Sequence, residues 1–445
     1  MRDFRLIIAI SSALVVIVSS CAGKRTVGEY PADVQEPSYI RIQERDEGGW
    51  TVVSVSPFDG SRDTLIVDRP MSRLVVMSTS HIGFLEAIGR LDVVAGVSGV
   101  DYVYSSEGPL SEGSGSPDST LRLAPPIASD GPLPLTSRGW LRSGHTRPSD
   151  RPREASSPSD SERSDPGSLR GTPLSPPPGV QGGGWRQPTS TIVDVGYDAV
   201  PDYEKIVSIR PDLVLTYSVS AAKPPFVSRL ERLGIKTLTV NEHLESHPLA
   251  RASYIRLFGA LTGDMAVADS VLEAVKESYI AVADSIARDG LSPRKVLLNI
   301  PYNDQWFIPS KSSYLTALIH DAGGDVLGAE EGRATSSVMS LEKAYTLGKD
   351  ADCWLNVGWC STMSQLTGIN PVFGEMSRNI RSNASERGFG DIDVVWNENR
   401  RVNSKGGNDI WQSGVARPDL ILMDLAAILH PSGENHLFTY YKPLD

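Results

Sequence analysis

Two stretches far apart in the chain decide the fold: DYEKIVSIRPDLVL (residues 202–215) and SLEKAYTLGKDADCWL (residues 340–355). Each begins with a residue that favours a helix N-cap, places a glutamate two positions later, and continues through a short helical segment into an apolar run. A second pair, residues 84–96 and 314–328, repeats the order of apolar helix and strand. Two copies of one unit predict two similar α/β lobes with a ligand-binding crevice. The alternative is that helix and strand recur by chance.

The size and composition of the chain are those of a water-soluble protein with two domains. It has 445 residues, of which 40% are hydrophobic and 22% are charged, and its net charge is −11. A chain of this length can bury two cores. The negative charge and the lack of a basic stripe argue against a nucleic-acid partner.

The first 21 residues predict a secretion signal. Arg2 and Arg5 precede an apolar run of 13 residues, from Leu6 to Val18, which is short for a bilayer span but suits a signal peptide. The run ends in VSSC (residues 18–21), which resembles the bacterial lipobox. That resemblance implies lipidation of Cys21, with residues 22–37 as a tether. An ordinary signal peptide with an incidental cysteine is the alternative.

The remaining chain predicts a small β-sheet, two lobes and a connection between them. Alternating apolar residues in 38–70 predict a β-meander. Residues 71–263 predict the N-terminal lobe and residues 290–445 the C-terminal lobe. Residues 264–289 keep apolar side chains at three- and four-residue spacing, which predicts a linking helix. The predicted fold class is therefore α/β, with two Rossmann-like lobes joined by a single long helix.

Residues 108–190 differ in composition from the rest of the chain. They contain 15 of the 31 prolines and no lysine, and their apolar residues are sparse and unpatterned. Such a segment cannot bury enough apolar surface to offset the entropy lost on ordering. We therefore predict a disordered insertion in the first lobe.

Beyond Cys21, the chain has two cysteines, Cys353 and Cys360. Cys353 opens a predicted buried strand, and a strand rises about 3.3 Å per residue, so the pair is separated by more than the ~6 Å that a disulfide spans. Two free thiols are therefore favoured unless the chain doubles back. No cysteine and histidine spacing is typical of a zinc site, and no metal or cofactor is predicted.

Five short motifs together resemble one protein family. They are RLVVMS (73–78), DVGYD (194–198), EKIV with RPDLV (204–214), GGND (406–409) and RPDL (417–420). With the lipobox and the linking helix, they resemble the substrate-binding proteins of iron-siderophore, haem and vitamin B12 ABC importers, in the helix-linked class III and its Bacteroidetes-like branch. The resemblance covers about residues 38–105 and 191–440. The insertion at 108–190, beside Tyr104, departs from it.

The resemblance implies a monomeric lipoprotein that is anchored to the membrane and faces the periplasm. It would capture an iron chelate, haem or a corrinoid and deliver it to a permease with its ATPase. In that family one surface glutamate per lobe contacts arginines of the permease, and the matching positions here are Glu204 and Glu342. A carboxylate in the first helical turn is favoured by the helix dipole and stays exposed. Simple helix N-terminal charges are the alternative.

Candidate ligand contacts follow predicted strands in both lobes. Aromatic faces suit a large conjugated ligand, and Arg401 could pair with a carboxylate or an anionic chelate. For each aromatic residue a place in the core is the alternative, and for His81 a helix-start or cleft-lining role is favoured over a haem iron ligand. The candidates are Ser80, His81, Tyr104 and Tyr217 in the first lobe, and Tyr302, Trp306, Trp359, Arg401, Asn403 and Trp411 in the second.

Two other functions compete with this one. A surface lipoprotein that captures a ligand without a dedicated permease would have the same fold and cleft. Lost permease docking or an outer-leaflet location would distinguish it. An enzyme of similar build is less favoured, because the sequence has no nucleophile elbow, phosphate-binding loop or paired acid–base residues. We therefore expect no enzymatic activity.

Overall fold

The computed structural model describes residues 35–105, 192–197, 200–332, 336–431 and 436–445. The predicted signal peptide, Cys21, most of the tether and the 108–190 insertion lie outside these ranges. None of the helices in the described ranges has both the length and the apolar composition needed to cross a membrane.

The N-terminal part forms the predicted meander, a three-stranded antiparallel sheet. Its inward side chains, among them Ile40 and Val52, belong to the core of the first lobe. The Ser54 hydroxyl donates to the carbonyl of Thr239 at 2.5 Å, which ties the small sheet to the edge of the first lobe. The strands are β1 (Ile40–Glu44), β2 (Trp50–Val55) and β3 (Arg62–Val67).

The first lobe is built on a five-stranded parallel sheet with a short hairpin beside it. Its central strand is buried at every position, as a sheet covered on both faces requires. The strands are β4 (Leu74–Val76), β5 (Val94–Val97), β6 (Val193–Asp194), β7 (Gly196–Tyr197), β8 (Val200–Pro201), β9 (Leu213–Thr216) and β10 (Thr237–Thr239). The helices are α1 (Thr79–Ala87), α2 (Tyr203–Ile209), α3 (Pro225–Arg232), α4 (Pro248–Ala252) and α5 (Ile255–Thr262).

A helix of 25 residues, α6 (Met265–Asp289), follows the first lobe and ends at Gly290, whose φ is +59°. Only glycine adopts such a backbone angle readily, so the helix ends there. Ala268, near the start of α6, belongs to the core of the first lobe, whereas Tyr279 and Ala283 belong to the core of the second. The helix therefore packs into both cores.

The second lobe has a five-stranded sheet in which only the last strand is antiparallel. The strands are β11 (Arg294–Leu298), β12 (Trp306–Ile308), β13 (Gly324–Val326), β14 (Ser337–Met339), β15 (Cys353–Leu355), β16 (Val395–Asn397) and β17 (Lys442–Pro443). The helices are α7 (Tyr314–Asp321), α8 (Leu341–Gly348), α9 (Met363–Ile369), α10 (Val372–Glu386) and α11 (Pro418–Leu429). Cys353 and Cys360 are both buried free thiols.

The two lobes share one topology. The strand order β10-β9-β4-β5 in the first lobe matches β16-β15-β11-β13 in the second. The helices that the repeat predicted are capped alike, since Asp202 accepts from the Lys205 amide and Ser340 from the Lys343 amide. The prediction of two similar α/β lobes is confirmed.

Candidate functional site

The two lobes meet beyond the carboxyl ends of their strands, where ligands bind in open α/β folds. The segment after β5, residues 101–104, contacts the segment after β16, residues 401–412, through direct hydrogen bonds. On another side of the interface the Arg251 guanidinium lies 5.1 Å from the ring centroid of Tyr314 in α7. The loops at these strand ends therefore form the candidate site.

A buried polar cluster lies around Glu242, after β10. The Ser80 hydroxyl donates to its Oε1 at 2.6 Å, and the Nε2 of His81 lies 3.9 Å from its Oε2. Burial lowers the pKa of His81 to about 4, so its ring is neutral at pH 7. Burial alone would raise the pKa of Glu242, but hydrogen bonds from His243 and Ser80 and the charge of Arg251 lower it below its usual value. The Glu242 carboxylate is therefore ionised inside the protein.

Two of the residues predicted as ligand contacts, Ser80 and His81, belong to this cluster, and His81 lies at the start of a helix. Ser80 and His81 are 3% and 0% exposed, so neither side chain lines an open cleft. Both lie on the first turn of α1, and their side chains face inward towards Glu242. Both side chains belong to the buried cluster around Glu242.

Trp306, which the sequence analysis lists among the ligand contacts, also lies in the interior of the protein. Its side chain has no exposed surface, its Nε1 donates to the Leu298 carbonyl at 2.6 Å, and its ring stacks on Trp354 at 6.0 Å. Trp306 is a core residue of the second lobe, because it lies on strand β12 with its side chain turned towards the main sheet. In this structure Trp306 therefore presents no surface to a ligand.

Other predicted aromatic residues are exposed at the margin of the second lobe. Tyr302 and Trp359 are 71% and 65% exposed, and each follows the end of one of the paired strands β11 and β15. Their loops touch, because a Cβ on Gly358 would lie 2.8 Å from Ile300. Trp411, which is 46% exposed, lies in the segment that follows β16. The second lobe thus presents three aromatic rings to solvent.

Tyr104, Arg401 and Asn403, three of the predicted ligand contacts, lie close together, but they do not form a free surface. The Arg401 guanidinium lies 5.2 Å from the ring centroid of Tyr104 and forms an ion pair with Asp409 at 2.8 Å. Asp409 is almost fully buried, and its carboxylate is the partner of the Arg401 guanidinium. Asn403 is buried, and Tyr217, which is half-buried, has its ring edge-on to His243 at 5.9 Å.

Sequence reasoning missed an aromatic pair on the first lobe. Tyr102 and Tyr197 are about half exposed, and their ring centroids lie 6.1 Å apart. Gly99, with φ of +65°, lies against both rings, since a Cβ there would be 2.9 Å from Tyr197 and 3.3 Å from Tyr102. A glycine between a strand and an aromatic residue is the available sequence signal. The pairing of the two tyrosines in space has no sequence signal, because Tyr197 lies 95 residues after Tyr102.

The sequence analysis also did not identify Gln412 and Glu86. These two residues connect the segment 101–104 to α1. The Gln412 side chain bonds to both the amide and the carbonyl of Tyr104, at 3.0 and 3.3 Å. Its Nε2 lies 3.4 Å from the Glu86 carboxyl, whose pKa burial and the nearby Asp409 raise to about 8. Glu86 is therefore mainly protonated at pH 7.

Glu204 and Glu342 occupy equivalent places in the two lobes. Each is the second residue of its helix, α2 or α8, and each side chain is exposed. A hydrogen bond with the Ser340 side chain lowers the pKa of Glu342. One exposed carboxylate therefore stands at the start of a matching helix in each lobe.

The described ranges contain no candidate metal site. Within them, no group of three or more histidine, cysteine, aspartate or glutamate side chains could hold a metal ion.

Comparison with known proteins gives one family match. The model of the periplasmic binding protein family matches residues 171–373. An uncharacterized lipoprotein of Methanocaldococcus jannaschii is 26% identical over 261 residues, which cover 56% of this chain and 56% of the relative. The chain thus spans about half the length of that relative. The matched family consists of binding proteins, which agrees with the expectation of no enzymatic activity.

One solved structure supports the fold with a TM-score above 0.5. A periplasmic binding protein from Veillonella parvula superposes with a TM-score of 0.51 at 13% identity, covering 87% of this chain and 100% of its own. A periplasmic haem-binding protein from Pseudomonas aeruginosa gives a TM-score of 0.46 at 12% identity, covering 84% and 98%. At these identities the likeness concerns the fold alone.

Proposed function

We propose that this chain, which resembles the periplasmic binding proteins in sequence and in fold, captures a large conjugated ligand between its lobes for an ABC importer. The carrying observation is the set of exposed aromatic rings at the strand ends of both lobes: Tyr102 and Tyr197 in the first, Tyr302, Trp359 and Trp411 in the second. Exposed aromatic rings offer apolar area with little loss of conformational entropy on binding. The ligand classes are a ferric chelate, haem or a corrinoid.

A thermal-shift screen tests the ligand class. A ligand that binds only the folded state, at a hundred times its Kd, stabilises it by about 2.7 kcal/mol. Ferric desferrioxamine, haemin and cyanocobalamin are the probes, and at least one should raise the melting temperature. Trp359→Ala and Tyr302→Ala should weaken that effect, whereas Phe58→Ala, an exposed ring in the β2–β3 turn, should not. Equal loss in all three variants would place the ligand elsewhere.

Delivery to a permease is the second part of the proposal. Glu204 and Glu342 stand exposed at matching helix starts, one per lobe, as a two-lobed docking surface requires. Complementary charges across an interface raise the association rate and fix the register. The double variant Glu204→Ala/Glu342→Ala should bind ligand normally but fail to support uptake. The control is Glu273→Ala/Glu386→Ala, at exposed helix positions. Normal uptake in the first variant would show that Glu204 and Glu342 do not mediate delivery.

Membrane anchoring through Cys21 completes the proposal. The lipobox-like VSSC sequence supports it, and the archaeal relative carries the name of a lipoprotein. Replacement of Cys21 by serine should release the protein from membranes or block its maturation. Unchanged fractionation of the variant, with no acyl mass on the wild-type N-terminus, would contradict the anchor.

A further inference from the structure

The exposed tyrosine pair of the first lobe lies on backbone that the second lobe holds. Tyr102 belongs to the short segment 101–104, which follows β5, and its ring contacts Tyr197. The backbone carbonyls on either side of Tyr102, those of Asp101 and Val103, both accept hydrogen bonds from one side chain of the second lobe. That side chain is Asn403, 300 residues away from Val103.

The amide of Asn403 uses its whole hydrogen-bonding capacity here. Its Nδ2 donates to the carbonyls of Asp101 and Val103, both at 2.9 Å. Its Oδ1 accepts from the amides of Lys405 and Gly407, at 2.9 and 2.8 Å. An asparagine amide offers two donors and two acceptor sites, so all are filled. Asn403 thus joins a turn of its own loop to the backbone around Tyr102.

Gln412 makes a similar contact one residue further on. Its Oε1 accepts from the amide of Tyr104, and its Nε2 donates to the carbonyl of the same residue. Gln412 is 1% exposed, so these bonds are shielded from water. The fit is close, because a Cβ on Gly407 would lie 2.3 Å from the Tyr102 carbonyl oxygen. We call residues 401–416 the clasp.

We propose that Asn403 and Gln412 are positioning residues, which fix the angle at which the Tyr102 and Tyr197 rings meet a ligand held by the second lobe. This inference rests on the proposed function. Each amide bonds to main chain, so the register of residues 101–104 does not depend on their own side chains. Because both amides come from the second lobe, the aromatic surface of the first lobe is set relative to Tyr302, Trp359 and Trp411.

The first measurement needs no ligand. Gln412→Met removes both bonds to Tyr104 while keeping an unbranched side chain, and Asn403→Asp replaces two donors by a carboxylate that repels the same carbonyls. Amide hydrogen exchange at Tyr104 should become at least about tenfold faster in Gln412→Met, since one buried hydrogen bond contributes roughly that factor. The near-ultraviolet circular dichroism of the tyrosines should change in both variants. Lys405→Ala, exposed in the same loop, is the control.

The second measurement is haemin titration at 25 °C on protein that is verified as folded. Both variants should bind about tenfold more weakly than Lys405→Ala. A merely structural role would lower the melting temperature and leave this affinity unchanged. If Asn403→Asp does not fold, Asn403→Ser, which keeps a hydroxyl, takes its place.

The outcomes separate the two proposals. Unchanged exchange at Tyr104, or unchanged haemin affinity with loosened exchange, would overturn the positioning role. If the wild type binds none of haemin, ferric desferrioxamine and cyanocobalamin, the proposed function fails. The exchange and dichroism results then decide alone whether the two amides fix residues 101–104.

Discussion

Replacing Gly83 with alanine should destabilise the protein, although alanine is the better helix former. Gly83 lies in α1, and a Cβ at this position would be 1.8 Å from the carbonyl oxygen of Gln412 and 2.4 Å from its carbonyl carbon. Both atoms are backbone, so no side chain can move aside. To reach an ordinary contact distance, α1 and the clasp must separate by about 1 Å or more.

The magnitude follows from two opposing effects. Overpacking of this kind costs about 1–3 kcal/mol, and the upper end applies where rigid backbone is the neighbour. Alanine in a helix recovers about 0.5–1 kcal/mol relative to glycine. We therefore expect Gly83→Ala to lower the free energy of unfolding by about 2 kcal/mol, measured by guanidinium titration with circular dichroism.

Gly368 provides the matched control. It lies in helix α9, and no heavy atom would stand within 4 Å of an added Cβ. Gly368→Ala should therefore raise the free energy of unfolding by about 0.5 kcal/mol. The same sign of change in the two variants, or a Gly83→Ala protein as stable as the wild type, would show that the clasp does not press on α1.

Two further predictions concern buried groups. Burial and Asp409 raise the pKa of Glu86 to about 8 from 4.5, so the protonated form is favoured by the fold and stability is lost as pH rises between these values. Glu86→Gln should exceed the wild type in stability by on the order of 2 kcal/mol at about pH 8.5 and match it near pH 4, by urea unfolding; a difference independent of pH would contradict this. Trp306→Ala should cost about 3–5 kcal/mol, whereas Trp359→Ala should stay within about 0.5 kcal/mol, by the same titration. The reverse order would contradict the burial of Trp306.

The local parts of the fold were predictable because their signals are local. Asp202 and Ser340 each occupy a cap position followed by a helix and a buried strand, and that order alone predicts two similar lobes. The meander and the helix Met265–Asp289 likewise follow from alternation and from three- and four-residue spacing. These patterns depend on neighbours within one or two turns of chain.

The candidate site was less predictable, because burial is decided by distant residues. Trp306 and Trp359 are both predicted to follow strands of the second lobe, yet Trp306 lies on β12 and is fully buried, whereas Trp359 is mostly exposed. His81 faces inward because Glu242 lies beneath it. The sequence predicts Asn403 as a ligand contact, but the two donors of its amide are used by main chain of the other lobe. No periodicity in the sequence encodes such contacts.

The clasp also determines when the first lobe can finish folding. Val415 and Ala416, at the end of the clasp, belong to the hydrophobic core of that lobe. A chain growing from its N-terminus therefore completes the first sheet long before it contains the last residues of the first core. Contacts between residues more than 300 positions apart close late and slowly. Folding of the first lobe is thus tied to synthesis of the second, and truncation before residue 415 would leave both lobes incomplete.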